Sequence, residues 1–299
     1  MKKENVIIFG GNGFIGKHLA NLLNKRNYHV TIFDQKINKD HFNFKTGFIK
    51  GSITNEKQVD QAVCNKDYIF HFAGEADIYQ ANKNPLNAVK KNVLGTTIIL
   101  DKAVKYKVKR FMFASSIYVF SEQGGVYRTT KQSCELLIEN YSQIYGLKYT
   151  NLRFGSLYGP GANDFNFLRQ MINEACTKGK MIRNGDGSEV RNYVNVLDVA
   201  KYCYIAMKKK YQNKNIMILG QERKSIKQVL NLIKSKMKNE IKIIYTGNRD
   251  FAHYKTSPFT FKNRKIDYLK NITEIPFEKG IEDLIKEIKD ECRNTRKDK

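Results

Sequence analysis

The sequence predicts an α/β protein with a doubly wound parallel sheet and a smaller C-terminal α/β lobe. In the first half, short apolar runs alternate with longer amphipathic stretches, as expected for a parallel sheet covered by helices on both faces. After about residue 155, glycine-rich loops interrupt this alternation. At 299 residues, with 41% hydrophobic and 27% charged residues, the chain can bury a core of that size.

Buried strands are predicted where apolar or aromatic residues run almost without interruption, and helices where they recur three and four apart. The predicted strands are residues 6–9, 30–33, 68–72, 111–114 and 149–152, and the predicted helices between them are 14–24, 56–63, 86–106 and 131–145. Together they predict a sheet domain over residues 1–155.

The second half predicts a smaller lobe over residues 156–299, with segments near 190–220 that return to the sheet. Two loops, GPGAND (159–164) and RNGDGSEVRN (183–192), lie on either side of a predicted helix near 165–178. The remaining predicted elements are helices at 197–208, 225–237 and 277–292 and a strand at 215–219.

Composition narrows the class of protein. The five cysteines are scattered without paired spacing, so we expect free thiols in a reducing cytoplasm and no metal centre. No apolar run approaches the length of a membrane helix. The net charge is +24, but the lysines are not interleaved with aromatic residues, so we expect no nucleic-acid partner.

A glycine motif, Gly10-x-x-Gly13-x-x-Gly16, follows the first predicted strand and opens the first predicted helix. Glycines here allow a tight turn and let a pyrophosphate approach the helix N-terminus. Asp34 ends the second predicted strand, where a carboxylate accepts from ribose hydroxyls and repels a 2′-phosphate. This register predicts a Rossmann fold that binds NAD, although Lys36 keeps some use of NADP open.

The glycine spacing resembles that of the extended short-chain dehydrogenase/reductase family, the NAD-dependent nucleotide-sugar epimerases and dehydratases. Further segments resemble the family's motifs in the family's order. They are GSIT (51–54), HFAG (71–74), NVLGT (92–96), FASSIYVF (113–120), LRFGSLYGPG (152–161) and GDGSEVRNYVNVLDVA (185–200).

The resemblance implies a tightly bound NAD, a nucleotide-diphosphate sugar as substrate, and a homodimer. It assigns NAD to residues 1–155 and the sugar nucleotide mainly to residues 156–299. The cofactor contacts it implies are Gly10, Gly13, Phe14, Ile15, Gly16, Asp34, Ser52, Ile53, Phe72, Ala73, Gly74, Asn92, Ser115, Tyr127, Lys131 and Phe154. The substrate contacts it implies are Ser116, Tyr118, Ser156, Arg191 and Arg264.

The catalytic pair of this family is Tyr-x-x-x-Lys, which alone is weak evidence in a chain with 17 tyrosines and 53 lysines and arginines. Only one pair follows the fifth predicted strand and starts a helix, namely Tyr127/Lys131. The competing pairs are Tyr79/Lys83 and Tyr204/Lys208.

The expected chemistry is hydride exchange at one sugar carbon. Tyr127 and Lys131 share a helix face, so we expect the lysine cation, together with an oxidised nicotinamide, to lower the pKa of the phenol and make it a base. Ser116 is expected to hydrogen-bond the reacting oxygen. For Ser115, a hydrogen bond to the backbone at the end of the strand is as good an interpretation as a direct role in the reaction.

Departures from the family's pattern narrow the reaction. Ile117 and Tyr118 stand where 4,6-dehydratases carry acids, so dehydration is disfavoured. Segment 121–126 is shorter than the family's usual loop, and Ser156 replaces the usual asparagine.

The leading hypothesis is a C4 epimerase similar to UDP-glucose 4-epimerases, acting through a 4-keto sugar in polysaccharide or capsule synthesis. The alternative is a nucleotide-sugar 4-dehydrogenase or ketoreductase. A non-catalytic NAD-binding protein or an RNA-binding relative is disfavoured by the intact Ser116, Tyr127 and Lys131.

Overall fold

The computed structural model describes residues 3–42, 44, 46–237, 240–247, 267–268 and 274–297. Its strands are β1 Asn5–Phe9, β2 His29–Asp34, β3 Gly47–Lys50, β4 Tyr68–His71, β5 Arg110–Ser116, β6 Tyr149–Phe154, β7 Ser156–Tyr158, β8 Lys180–Arg183, β9 Val190–Asn195, β10 Lys214–Ile218, β11 Arg223–Ser225, β12 Lys242–Tyr245 and β13 Asp267–Tyr268. Its α-helices are α1 Phe14–Lys25, α2 Glu56–Val63, α3 Ile78–Lys83, α4 Pro85–Val89, α5 Gly95–Lys105, α6 Gly125–Tyr145, α7 Phe167–Lys178, α8 Val196–Ala206, α9 Ile226–Lys236 and α10 Phe277–Lys297.

A wholly parallel sheet forms the centre of the protein, in the order β3-β2-β1-β4-β5-β6-β10-β13. The strand order reverses direction between β1 and β4, and in such sheets ligands bind outside the carboxyl ends of the strands at the reversal. The predicted doubly wound Rossmann fold is therefore confirmed.

Helices cover both faces of the sheet and build two separate cores. On one face α1 packs against α8 above side chains such as Ile8 and Leu152. On the other face α2, α5 and α6 pack in series over Ile7 and Phe111. All four of these side chains are fully buried. This two-sided burial explains why the central strands consist of nearly uninterrupted apolar residues.

The smaller lobe has its own apolar core. It combines a three-stranded sheet, β11-β9-β7, with the two-stranded pair β12-β8 and with helices α7, α9 and α10. Val229, Ile233 and Leu284 are completely buried between these helices. Helix α8 and strand β10 leave the lobe and pack with the central sheet.

Three of the predicted elements are organised differently in the structure, and strand β3 and the short strands of the lobe were not predicted. The single helix predicted over 86–106 is divided into α4, a π-helical turn at Lys90–Leu94, and α5. The helix predicted from residue 131 starts at Gly125, because Gly124 and Gly125 adopt positive φ and turn the short loop directly into α6. The predicted loop 183–192 is partly strand, since β9 begins within it.

Candidate active site

A cleft of about 830 Å³ lies between the carboxyl edge of the sheet and the lobe. Its wall contains residues that follow β1, β4, β5 and β6, together with residues of α7, β8 and β9. The cleft thus lies where the strand order reverses, and both halves of the chain contribute to it.

The glycine turn forms one end of the cleft. Gly10 has φ +77°, and a Cβ on Gly16 would lie 2.4 Å from the carbonyl oxygen of Gly10, so a larger residue at position 16 cannot fit without displacing backbone. Gly13 caps α1 without a side-chain hydrogen bond, which leaves the first N–H groups of the helix available to an anion. This cradle fits the pyrophosphate of a dinucleotide.

Asp34 stands beside the glycine turn at the end of β2. Its Oδ2 accepts from the backbone N–H of Asn12 at 3.1 Å, and its Oδ1 accepts from that of Lys36 at 3.3 Å. Burial raises the pKa of the Asp34 carboxyl, and the backbone N–H groups of Lys36, Asn12 and Gln35 oppose this shift. Two backbone N–H groups thus hold the carboxylate in place at the end of the cleft, where it can accept hydrogen bonds from ligand hydroxyls.

We expect replacement of Asp34 to change cofactor preference. In D34S the affinity for NAD+ should fall about tenfold, and NADP+ should gain affinity because the negative charge that repels its 2′-phosphate is lost. Calorimetric titration of nucleotide-free protein measures both constants. Exposed Asp40 provides the matched control, D40S, and equal NAD+ affinity in D34S and wild type would contradict the assignment.

Asn92 holds the loop that follows β4 against the start of α6. Its Oδ1 accepts from the N–H of Glu75 at 2.7 Å, and its Nδ2 donates to the Glu75 carbonyl and to Thr130 Oγ1. Asn92 is buried in the π-helical turn. The Asn92 amide therefore supports the cleft wall from behind. The family resemblance had implied that Asn92 is a cofactor contact, but Asn92 does not line the cleft.

Ser116, Tyr127 and Lys131 come together on the cleft wall. Ser116 ends β5, and its hydroxyl hydrogen-bonds the Tyr127 phenol. Lys131, one helical turn after Tyr127, places its Nζ 5.7 Å from the centre of the tyrosine ring. Lys131 also donates to the carbonyl of Ala114 at 2.8 Å, which fixes α6 to β5.

Burial dominates the proton affinities of this group. It raises the pKa of Tyr127 to about 12, and the hydrogen bond from Ser116 only partly opposes the shift. It also lowers the pKa of Lys131. The sequence predicted a phenol pKa lowered by Lys131 and by an oxidised nicotinamide together. In the protein alone, desolvation of the phenolate raises the pKa.

The other two Tyr-x-x-x-Lys pairs are not arranged in this way. Tyr79 lies at the start of α3 and lines the cleft, but Lys83 does not. Tyr204 lies on α8, where its ring contacts that of Tyr28 edge-on at 6.4 Å. Among the described residues, only Tyr127 and Lys131 bring both members of such a pair into the cleft.

Most side chains implied by the sequence line this one cleft. Those on its wall are Gly10, Gly13, Phe14, Ile15, Gly16, Asp34, Ile53, Phe72, Ala73, Gly74, Ser115, Ser116, Tyr118, Tyr127, Lys131, Phe154, Ser156 and Arg191. Ser52 and Asn92 are not on the wall, and the Ser52 hydroxyl instead bonds to Thr54 Oγ1 at 2.9 Å. Arg264 lies outside the described residues.

The short loop after Ser116 packs back onto α6. Arg128 donates to the carbonyls of Ser121 and Glu122, at 2.9 and 2.8 Å. A Cβ on Gly124 would lie 2.6 Å from the Tyr118 ring, so glycine leaves room for this aromatic side chain. The rings of Tyr118 and Tyr127 meet edge-on at 6.1 Å. Tyr118 therefore forms the wall directly beside the phenol.

The sequence did not identify several residues at the lobe end of the cleft. They are Asn163, Phe165, Gln170, Met171, Ile182, Arg183 and Asn184. Asn163, Arg183 and Asn184 lie within the two glycine-rich segments at 159–164 and 183–192, so the loop signal marked their place but not their role. The others lie beside these segments or on α7 and β8. Glu75 and Lys91 were also missed, and they form an ion pair at 3.5 Å on the sheet side.

Two features are absent from the part of the chain that the structure describes. No three His, Cys, Asp or Glu side chains are grouped so that they could bind a metal ion. None of the described helices is long and apolar enough to span a membrane.

Comparisons with known proteins agree with this geometry. The model of the NAD dependent epimerase/dehydratase family matches residues 6–220. A putative UDP-glucose 4-epimerase of Methanocaldococcus jannaschii is 27% identical over 96% of this chain and 99% of its own length. A UDP-N-acetyl-alpha-D-glucosaminuronate decarboxylase of Bacillus cytotoxicus is 30% identical over 90% of each chain.

A solved structure shares the whole fold. The UDP-glucose 4-epimerase of Thermotoga maritima, crystallised with UDP-glucose, superimposes with a TM-score of 0.86 at 25% identity, over 96% of this chain and 99% of that one.

Proposed function

The chain belongs to the NAD-dependent epimerase/dehydratase family of extended short-chain dehydrogenases/reductases, and we propose that it is a C4 epimerase of a UDP-sugar. The observation that carries the proposal is the grouping of Ser116, Tyr127 and Lys131 in one cleft, with Ile117 and Tyr118 where a dehydratase requires acids. Such a site can move a proton and a hydride but has no acid beside Ser116 to eliminate water.

Each side chain has a distinct task in this reaction. Ser116 hydrogen-bonds the sugar O4 and stabilises charge on it. Tyr127, as the phenolate, accepts the O4 proton and later returns it. NAD, which the glycine turn and Asp34 would hold, would supply the hydride acceptor for C4 and, when oxidised, a positive charge that favours the phenolate. Lys131 supplies a second cation beside the phenol and is placed to hold the ribose next to the nicotinamide.

Epimerisation also requires the keto sugar to present its other face before the hydride returns. In the proposed reaction the keto sugar turns within this cleft of about 830 Å³ while the nucleotide stays bound. We assign NAD to residues 1–155 with the segments returning near 190–220, and the sugar nucleotide mainly to residues 156–299. Arg191, on the cleft wall, is placed to bind a pyrophosphate.

Related reactions would begin with the same oxidation at C4. The similarity to a uronate decarboxylase makes loss of carbon dioxide the second candidate.

A dehydratase would need an acid in the cleft. Glu75 is the carboxylate of the cleft wall closest in sequence to the end of β4, and it already pairs with Lys91 and accepts from the N–H of Asp77 at 3.3 Å. This engagement leaves it poorly placed to act as the acid of a dehydratase.

The test is incubation of the purified protein, without added cofactor, with UDP-glucose, UDP-N-acetylglucosamine and UDP-glucuronic acid in turn. We expect an equilibrium mixture of C4 epimers from at least one of them, identified by NMR, and no lasting absorbance of NADH. NADH with a ketosugar, up to one equivalent per protein from bound NAD and in larger amounts once NAD+ is added, would indicate the dehydrogenase. A pentose product would indicate the decarboxylase, and a product that has lost water the dehydratase.

We also propose that the protein is a homodimer that pairs through α4 and α6. These helices pack side by side and expose large apolar side chains, which are unusual on a surface facing only water. Leu86 is 80% exposed on α4, and Leu136 and Ile144 are 49% and 70% exposed on α6.

A charge on this surface should shift the oligomeric state. We expect L136D to elute and sediment as a monomer, because a carboxylate buried between apolar helices costs several kcal/mol. The matched control is L197D, on α8, where Leu197 is 38% exposed. A wild-type monomer in sedimentation velocity, or an L136D protein that remains dimeric, would contradict this interface.

A further inference from the structure

A fully buried ion pair lies behind the part of the cleft wall that carries Ser116, Tyr127 and Lys131. Arg153 on β6 and Glu135 on α6 are 0% and 1% exposed. Arg153 donates from Nε to Glu135 Oε1 at 2.9 Å and from Nη2 to Oε2 at 2.6 Å. Ser115 Oγ donates to the same Oε1 at 2.5 Å. One carboxylate therefore joins a helix to two strands.

The pair lies one helical turn from the catalytic lysine. Lys131 and Glu135 are four residues apart on α6 and share a face, and they bond to consecutive residues of β5, Ala114 and Ser115. Arg153 faces Ser115 in the register of β5 and β6. The residue next to Ser115 on β5 is Ser116, so the network fixes the strand end that presents the catalytic hydroxyl.

Arg153 also supports the segment beyond Ser116. Its guanidinium carbon lies 4.7 Å above the ring of Phe120, in the short 3₁₀ turn Ile117–Phe120 that carries Tyr118. The Glu135–Arg153 pair thus contacts Ser115 on one side of Ser116 and Phe120 on the other.

Stability alone does not account for this pair. Buried ion pairs can usually be replaced by apolar side chains of similar volume without loss of stability, because desolvation offsets their attraction. The charge of Glu135, however, lies next to Lys131. Burial lowers the pKa of Lys131, whereas a negative charge at Cys134 or Glu135 would raise it. Because burial raises the pKa of the Cys134 thiol and so keeps it uncharged, the carboxylate of Glu135 is the side chain that supports the cation.

We infer that Glu135 and Arg153 are positioning residues for catalysis: they set the angle of α6 against β5, and with it the relative placement of Ser116, Tyr127 and Lys131. The inference rests on the proposed function for its kinetic part. Neither residue touches the substrate in this account, since both lie outside the cleft wall. Their effect reaches the reaction through Ser115, Lys131 and the Phe120 turn.

The decisive variant is E135M/R153M, which removes both charges together and keeps the volume of the pair. We expect it to unfold at the wild-type temperature or above, yet to lose about 100-fold in kcat with KM changed less than threefold, because a misplacement of about 1 Å has that effect on rate. R153K, which keeps the charge but not the two-pronged contact, should lose about tenfold in kcat.

A second measurement does not depend on turnover. Amide hydrogen exchange in residues 125–138 should become about tenfold faster in E135M/R153M, while exchange in β1 and β4 stays as in wild type. The control is E56M/K102M, which removes a pair between α2 and α5 whose atoms lie 2.5 Å apart. It should leave kcat and exchange in α6 unchanged.

Wild-type kcat and unchanged α6 exchange in E135M/R153M would overturn the inference and reduce the pair to a structural element. Should that variant fail to fold, R153K decides alone, and wild-type kcat in R153K would likewise overturn it. If the wild-type protein epimerises no sugar nucleotide, the proposed function fails. The exchange measurement then still tests the positioning role.

Discussion

Replacing Tyr127 by phenylalanine should lower kcat for epimerisation at least about 10³-fold while KM changes little. The ring and its packing against Tyr118 remain, so the substrate should still bind, but the proton of the sugar hydroxyl then has no acceptor. Single-turnover and steady-state rates measured by NMR give both constants.

The matched control for this variant is Y204F. Tyr204 belongs to another Tyr-x-x-x-Lys pair, but it lies on α8 and packs against Tyr28, away from the cleft wall. Y204F should keep kcat within about twofold of wild type. If Y127F retains most of its activity, the base is another residue and the assignment of the site is wrong.

Replacing Lys131 by methionine should lower kcat about 10²-fold or more and weaken NAD binding. The phenol pKa is already held near 12 by burial, so losing the adjacent cation makes the phenolate still less accessible. Removal of a positive charge raises the phenol pKa. The pH below which kcat falls should therefore move to a higher value. Because oxidised NAD would lower the phenol pKa below its value in the protein alone, rates between about pH 6 and 10, together with NAD titrations, measure both effects.

K208M serves as the control, because Lys208 is exposed and follows the end of α8. It should show wild-type kcat, NAD affinity and pH profile. An unshifted acid limb in K131M would mean that Lys131 does not act on the phenol through its charge, even if the rate falls.

The central sheet could be predicted because each of its buried strands leaves a signal within a few consecutive residues. Strands buried on both faces are nearly continuous apolar runs, and β1, β4 and β5 were all found from this pattern. Strand β3, Gly47–Lys50, was missed because it lies at the sheet edge and none of its residues is fully buried. The three- and four-residue strands of the lobe were missed for lack of any periodic signal.

The start of α6 shows the limit of apolar periodicity as a signal. Apolar residues three and four apart marked a helix from residue 131, with Tyr127/Lys131 at its start, whereas Gly124 and Gly125 turn the chain into α6 before Tyr127. The helix therefore contains the whole Tyr127/Lys131 pair because the preceding loop is short. Tight spacing between Ser116 and Tyr127 is compatible with a fully formed catalytic group.

The glycine turn and the grouping of Ser116, Tyr127 and Lys131 could be predicted because each is a short motif next to a recognisable strand. The groups that support them could not. Glu135 and Arg153 come from separate elements and meet only through the register of β5 and β6. The rise in the Tyr127 pKa likewise depends on burial, which a motif does not report.

The most direct test of the account is the fate of the hydrogen on C4. UDP-glucose, or whichever UDP-sugar the protein converts, is prepared with deuterium at C4 and incubated in ordinary water without added NAD. Transfer to bound NAD and back predicts that the C4 epimer retains its deuterium and that Y127F forms almost none of this product. Loss of the deuterium to water, or a product that remains oxidised at C4, would contradict the account.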